Sequence, residues 1–322
     1  MLVATLKEVA KLAGVNISTA SRALNDSPSI SAATKVRVRQ AAEELGYRPN
    51  LSARALSGKG TGAIALVVSD IMSPVWNILA GGACDAASAA SVPALLYCAE
   101  TDADYLDRVL PEMISTGAAG AVLGLHLSEE AQRKTEASGL PAVLAECFPL
   151  AGLPAVYSSR YDAAREAAAY LQQKGAKTVV LVTVPGFDMA YNKGCADALK
   201  DTGARLRVLT GPNTYQAGFA LGYSLADELY GPTGIVAVCD GQALGVQHAL
   251  QNRGVRVPQD CAILSLEDSV LATATYPGLT TMSKPLYRIG AKAAEKLLLK
   301  IKGQPVESEC LRHTLTVRKS TL

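Results

Sequence analysis

The 322-residue chain has no long apolar run. Its longest clean one, Ala63 to Val68, falls far short of the about 20 residues that span a bilayer. No charged start followed by an apolar stretch and a cleavage site opens the chain, so no export signal is expected. Seven cysteines, at 84, 98, 147, 195, 239, 261 and 310, form an odd set without a C-x-x-C pair. This argues against a disulfide framework or a zinc site and for a reducing cytoplasm, with most thiols serving as small core residues. The three histidines, His126, His248 and His313, are far apart. There is no G-x-S-x-G, no G-x-x-x-x-G-K-[ST], and no G-x-G-x-x-G after a strand. These absences argue against an enzyme, and no cofactor or metal is expected.

What is present points elsewhere. The length fits two or three domains, and 49% apolar residues can fill large cores. The net charge of +2 hides an asymmetry: residues 1–60 hold nine Lys/Arg against four acids, whereas the remaining 262 residues hold 22 against 25. A short basic end on a near-neutral body suggests a polyanion-binding module.

Thr5 is placed to cap a helix in which Leu6, Val9, Ala10 and Ala13 share one face. Gly14 suits a turn needing positive φ. Asn16 caps a second helix with an apolar stripe of Ala20, Ala23 and Leu24, leaving Ile17, Ser18, Ser21 and Arg22 on the opposite side. Ser31 caps a third helix whose stripe is Val38, Ala41, Ala42 and Leu45, stopped by Gly46. Two short helices joined by a glycine-containing turn read as helix-turn-helix. A solvated polar face is the bland alternative. However, short donors and one arginine on the first turns of the second helix match the chemistry of base edges in the major groove. Thr5, Asn16, Thr19, Ser21, Ser31 and Thr34 lie near helix N-termini, where hydroxyls, amides and N–H groups hold phosphate oxygens. Pro49 ends the third helix, residues 50–57 allow only about two further turns, and Gly58, Gly60 and Gly62 give a flexible exit. Arg54 suits a phosphate, or solvent.

The run from Thr5 to Asn25, the segment Gly46-Tyr47-Arg48-Pro49-Asn50, and the Ala53…Leu56 pair resemble the LacI/GalR family of bacterial transcription repressors. Departures are small: Asn16 where Ser is usual, and Ala20 where Val is usual. The resemblance implies that Ile17, Ser18 and Arg22 read bases, and that Thr5, Asn16, Thr19, Ser21, Asn25, Ser31, Thr34, Tyr47 and Asn50 position the backbone. It also implies that Ala53 and Leu56 enter the minor groove, where paired Leu56 side chains open a base step.

From residue 62 β-like apolar runs alternate with amphipathic helical stretches. Strands are expected at 63–69, 94–98, 119–125, 142–146, 155–158, 179–184, 206–210, 235–239 and 262–266, and a last one at Leu311–Arg318. Helices are expected near 75–90, 102–116, 128–138, 162–174, 191–202, 215–230, 242–253 and 285–302. This predicts parallel sheets covered by helices. The fold class expected is therefore multidomain: an all-α helix-turn-helix head, then an α/β core of two doubly wound lobes. The core resembles the periplasmic-binding-protein-like part of the same family. The boundaries expected are 1–48 for the head, 49–61 for hinge helix and linker, and 62–322 for the core. Within the core, 62–159 and 285–322 are assigned to the first lobe and 160–284 to the second.

In such folds ligands bind beyond the carboxyl ends of strands. Ser69-Asp70, Ser73, Val75, Trp76, Glu146, Val182-Thr183, Phe187, Asp188, Tyr191, Asn213, Tyr215, Cys239-Asp240 and Glu267-Asp268 fall there. The effector residues selected are Asp70, Trp76, Glu146, Tyr191, Asn213, Asp240 and Asp268. Asp240 is the foremost, since its segment resembles the family stretch whose Asp accepts hydrogen bonds from sugar hydroxyls. It also fits a helix cap, and the two roles are compatible. Trp76, the one tryptophan, suits either a sugar face or lobe packing. Tyr191 stands where sugar-binding members often carry Arg, which removes a planar five-donor group. Lys193 suits either a replacement for that charge or a solvated helix face. The small-sided helix Ala80–Ala90 suits a partner subunit, and no heptad zipper follows the last strand, so a dimer is expected.

The sequence thus predicts a cytoplasmic, homodimeric DNA-binding regulator, most simply a repressor. Its partners would be a pseudo-palindromic double-stranded operator and a sugar or related metabolite, with no membrane. The alternatives are a family member sensing a protein partner or no ligand, and a sugar-processing α/β enzyme.

Overall fold

The computed structural model describes residues 4–24, 26–47, 61–99, 105–186, 188–229 and 231–322. Asn25, Asn50, Ala53, Arg54, Leu56 and Phe187 lie outside the described residues, as do residues 49–60 of the expected hinge. The chain divides into two units, Met1–Gly62 and Ala63–Leu322.

Among the described residues, the first unit contains three helices: α1 (Leu6–Leu12), α2 (Ile17–Leu24) and α3 (Ala32–Glu44). Thr5 opens α1 with a reciprocal cap: its hydroxyl accepts from the Glu8 N–H, and its own N–H donates to Glu8 Oε2 at 2.7 Å. Gly14 turns the chain at φ +64°, a conformation costly for residues with a Cβ. Val9, Ala10, Ala13, Ala20, Ala23, Val38, Ala41 and Ala42 form the core. Small side chains let three short helices approach closely enough to exclude water. Leu45, expected in the buried stripe of α3, is instead 37% exposed: it is the C-cap, where the helix face has already turned away.

The second unit holds two six-stranded sheets. The first contains β1 (Ile64–Val68), β2 (Ala94–Cys98), β3 (Gly120–Gly124), β4 (Ala142–Ala145), β5 (Ala155–Ser158) and β11 (Glu309–Leu311), in the order β11-β5-β4-β3-β1-β2. The second contains β6 (Thr178–Thr183), β7 (Arg205–Thr210), β8 (Thr233–Ala237), β9 (Cys261–Ser265), β10 (Thr280–Ser283) and β12 (Thr314–Thr316), in the order β12-β10-β9-β8-β6-β7. Neighbours pair in parallel, except β12 on β10. Central strands such as β1 (IALVV) are buried throughout because helices cover both faces. The edge strands β2 and β7 are partly exposed, and β7 carries Arg205 and Arg207, charges that discourage pairing with another chain.

Between the strands run α4 (Pro74–Ala89), α5 (Tyr105–Ser115), α6 (Glu129–Ala137), α7 (Arg160–Gln173), α8 (Asp188–Leu199), α9 (Tyr215–Ala226), α10 (Asp240–Asn252), α11 (Val270–Ala274) and α12 (Leu286–Ile301). Helices α4 and α12 touch backbone to backbone. A Cβ on Gly82 would lie 2.0 Å from the Tyr287 carbonyl oxygen, and one on Gly290 would lie 1.9 Å from that of Leu79. The small residues of α4 are thus partly used within the chain rather than against a partner.

The chain crosses between the sheets three times, after β5, after β10 and after β11. Two expectations change here. The single strand foreseen at 311–318 is two short strands in different sheets, so the residues beyond Leu311 do not all belong with the first lobe. The reason is hydrogen bonding: Ser320 Oγ accepts from the Thr280 N–H at 2.8 Å, and Arg318 donates to the Leu279 carbonyl at 2.7 Å. Strand β10 and helix α11, which the apolar pattern did not reveal, lie in the same region.

Candidate nucleic-acid interface and interlobe cavity

On the head, Asn16, Ile17, Ser18 and Arg22 are exposed along one side of α2, and Thr19 and Ser21 are half-buried beside them. The start of α2 is rigidly organised. Asn16 Oδ1 accepts from the Thr19 N–H and from the Ser18 hydroxyl, each at 2.7 Å. Ile17 is 48% exposed, an apolar contact offered to solvent. Ser31 caps α3 through the Thr34 N–H at 3.3 Å. Tyr47 packs on the head core, where burial pushes its phenol pKa up. Lys35 and Arg39 pair with Asp26 at 3.1 and 2.9 Å.

In the second unit, the carboxyl ends of both sheets enclose a cavity of about 260 Å³. Trp76, Glu146, Tyr191 and Asn213, four of the expected effector residues, line it. Asp70, Asp240 and Asp268 do not. Asp70 sits on an exposed turn and accepts from the Met72 N–H at 2.7 Å. Asp240 is fully buried, its carboxylate held by the Ser265 hydroxyl and the Ser269 N–H, so both oxygens are engaged inside the second lobe. Asp268 adopts φ +87°, pairs with Arg318 at 2.7 Å and accepts from Ser283, which places it at the crossover. The carboxylate that reaches the cavity from this region is Glu267, whose Oε2 accepts from the Asp240 N–H at 2.9 Å.

His126, Arg160 and Lys284 also line the cavity, though none of them lies in a recognisable motif. Each follows a strand end, β3, β5 and β10 respectively, the positional signal that could have found them. Arg160 reaches the His126 Nδ1 at 3.1 Å; because guanidinium only donates, Nδ1 accepts and the ring is neutral. Burial, then the charges of Arg160 and Lys284, lower the His126 pKa to about 3. The His126 ring stands edge-on to Trp76 at 5.8 Å.

Lys284 is the electrostatic centre. Its side chain is 9% exposed, with Nζ 3.6 Å from Glu146 Oε1. Burial alone would lower its pKa, but Tyr191, Glu146 and Glu267 outweigh burial and hold the ammonium above the usual lysine range. Glu146 itself adopts φ +55° and receives the Ser158 N–H at 3.2 Å and the Ser158 hydroxyl at 2.9 Å. Burial raises Glu267 to about 7, against the pull of Lys284. Cys239 is also in the wall, and burial pushes its thiol far up, which keeps it protonated. Lys193 pairs with Asp197 at 2.7 Å on the exposed side of α8, so the positive charge of the cavity comes from Arg160 and Lys284 instead. Among the described residues no helix is long and apolar enough to cross a membrane.

A capped helix-turn-helix head joined to a two-lobed core with a polar cavity at its strand ends defines a DNA-binding transcription regulator. The family profile "Bacterial regulatory proteins, lacI family" matches residues 5–50, and "Periplasmic binding protein-like domain" matches residues 168–321. Catabolite control protein A of Priestia megaterium is 30% identical over 328 residues, covering 98% of this chain and 99% of that protein. Its counterpart in Staphylococcus epidermidis is 27% identical at 98% and 99% coverage. Among solved structures, the transcriptional regulator CelR–cellobiose complex is 28% identical with a TM-score of 0.72, covering 98% of this chain and 99% of that one. A lac repressor dimer bound to operator and an anti-inducer shares the fold at a TM-score of 0.85, with 23% identity and complete coverage of both chains. The chain belongs to the lacI family of bacterial regulatory proteins.

Proposed function

We propose that this regulator is a dimeric repressor that reads a pseudo-palindromic operator through α2 and senses a carbohydrate in the interlobe cavity. The observation that carries the DNA half is the exposed Asn16–Arg22 side of α2, fixed by the Asn16 cap on a head whose opposite side is core. Ile17, Ser18 and Arg22 contact base edges. Thr5, Asn16, Thr19, Ser21, Ser31, Thr34 and Tyr47 position the phosphates. By family resemblance, Asn25 and Asn50 join them, and Ala53 and Leu56 act in the minor groove; Arg54, by its charge alone, suits a phosphate. The cytoplasm, on the chromosome, is where such a protein works.

The sensing half rests on the cavity's composition. Glu146 and Glu267 accept hydroxyl hydrogen bonds, Asn213 and Arg160 donate, and Trp76 offers an apolar wall. The CelR relative is complexed with cellobiose, which supports the same ligand class. Because the cavity takes residues from both sheets, a ligand bound there favours one lobe arrangement by its differential affinity.

Selection of DNA from a random pool, with and without sugars, tests this reading. A palindromic consensus is expected, and Arg22→Ala should weaken it by about 1–3 kcal/mol while relaxing one base position. Uniform weakening on all sequences removes Arg22 from base reading; no consensus under any condition defeats the DNA assignment.

A further inference from the structure

A hollow of about 280 Å³ lies in the second lobe, at the end of the sheet opposite the interlobe cavity. The first residues of β6, β7 and β8, which are Thr178, Arg205 and Thr233, all line it. Strand β6 joins the two sites, since Val184, just past its last residue, lines the cavity. At about 3.3 Å per residue the two sites are about 20 Å apart. The register sets Thr178 beside Arg205 and Thr233, and Val180 beside Arg207. Side chains alternate across a sheet, so Thr178, Val180, Arg205 and Arg207 share one face. Helix α9 covers that face through Leu225, which packs in one cluster with Val180, but α9 stops at Ala226, and Glu228 and Leu229 complete the wall.

The floor is apolar: Val180 and Leu225 are buried and Leu229 is half-buried. The rim is charged. Arg207 donates to Glu228 Oε2 at 2.6 Å, whereas Arg205, on the same face, pairs with no carboxylate among the described residues. Two guanidiniums against one carboxylate leave the lining with one positive charge in excess. The chain's own Glu228 shows the chemistry that this rim accepts, a carboxylate on a guanidinium above aliphatic side chains. A guanidinium fork holds a carboxylate through two parallel N–H donors. One uncompensated charge balances a monoanion better than a more highly charged phosphate. The volume falls just under the about 300 Å³ at which ordinary small-molecule sites begin, which calls for a small ligand.

We propose that this hollow binds a small aliphatic monocarboxylate, with its carboxylate on Arg205 and its branched chain on Val180, Leu225 and Leu229, at a site separate from the interlobe cavity. Glu228 limits the affinity, because it repels the incoming anion and occupies Arg207. The site does not depend on the carbohydrate reading of the cavity.

Ligand-observed NMR titration of the full-length protein tests this. The probes are isovalerate, acetate, isoamyl alcohol and inorganic phosphate, each against wild type, Arg205→Gln, Glu228→Gln and Arg160→Gln. Isovalerate should bind more tightly than acetate, phosphate or the alcohol. Arg205→Gln should weaken it about tenfold or more, and Glu228→Gln should strengthen it about threefold. Arg205 is exposed, so its variant should keep the wild-type melting temperature. If the alcohol binds as well as isovalerate, the hollow is an apolar crevice and the proposal fails. If phosphate binds more tightly than isovalerate, the ligand class is wrong. If Arg160→Gln weakens isovalerate and Arg205→Gln does not, the carboxylate sits in the interlobe cavity and the separate site is refuted. If no probe binds, the proposal falls while the carbohydrate reading stands.

Discussion

Lys284→Met removes the charge at the centre of the cavity while nearly preserving side-chain length. At 3.6 Å and an effective dielectric of about 20, its attraction to Glu146 amounts to about 5 kcal/mol before desolvation. Removing one partner of a buried pair costs about 3–5 kcal/mol, because the other charge is left uncompensated. The loss should depend on pH. Glu267 has its pKa raised by burial to about 7, and Lys284 opposes that rise. A raised carboxyl contributes fully to folding below its unfolded pKa near 4.5, and that contribution disappears as pH climbs through its folded value. Without Lys284 the folded value climbs further, so the variant should suffer most at pH 8 and least at pH 5. Urea denaturation of the full-length protein, followed by Trp76 fluorescence, reads both. A loss of at least about 3 kcal/mol is expected at pH 8, with a distinctly smaller one at pH 5. Adding Glu146→Gln should restore about half of it. Equal losses at both pH values, or additive single and double variants, would refute the reasoning.

Asn16→Ala should lower head stability by about 1 kcal/mol through the lost cap, and should also weaken operator binding; thermal melts with gel-shift titrations separate the two effects. Gly290→Ala drives a Cβ into the Leu79 carbonyl, so overpacking should cost at least about 1–3 kcal/mol, read as a fall in melting temperature while isolated head–DNA contacts remain. His126 should stay neutral across pH 5–8 with the proton on Nε2, visible in nitrogen-15 NMR. Its depressed pKa means the unfolded chain binds more protons below pH 6.5, so stability declines as pH falls from there toward 3, and His126→Gln should flatten that decline.

The head was legible because its signals are local. Caps at Thr5, Asn16 and Ser31 and stripes of Ala and Val lie within a few residues of what they organise. Strand ends in the core were likewise within reach of the apolar runs, which led to Trp76, Glu146, Tyr191 and Asn213. Strand β10 was hidden because Thr-Thr-Met-Ser is polar; it is buried by pairing with β9 and by bonds from Arg318, Ser320 and Thr321, about forty residues on. Asp240 shows the same limit. Its position after β8 is that of a ligand residue, but Ser265 and Ser269 take both its oxygens and Glu267 reaches the cavity instead. Arg160 and Lys284 carried no motif, since their role comes from three crossovers meeting at one place.

The threading of the carboxyl-terminal segment has a bearing on biosynthesis. A nascent chain on the ribosome can complete its helical head, with its own core, long before either ligand-sensing lobe is closed. Until the segment holding β11 and β12 emerges, the flanks of β5 and β10 offer unsatisfied backbone, a target for proteases and chaperones. A product terminated before that segment would carry the helical head with both sheets of the core left without an edge strand.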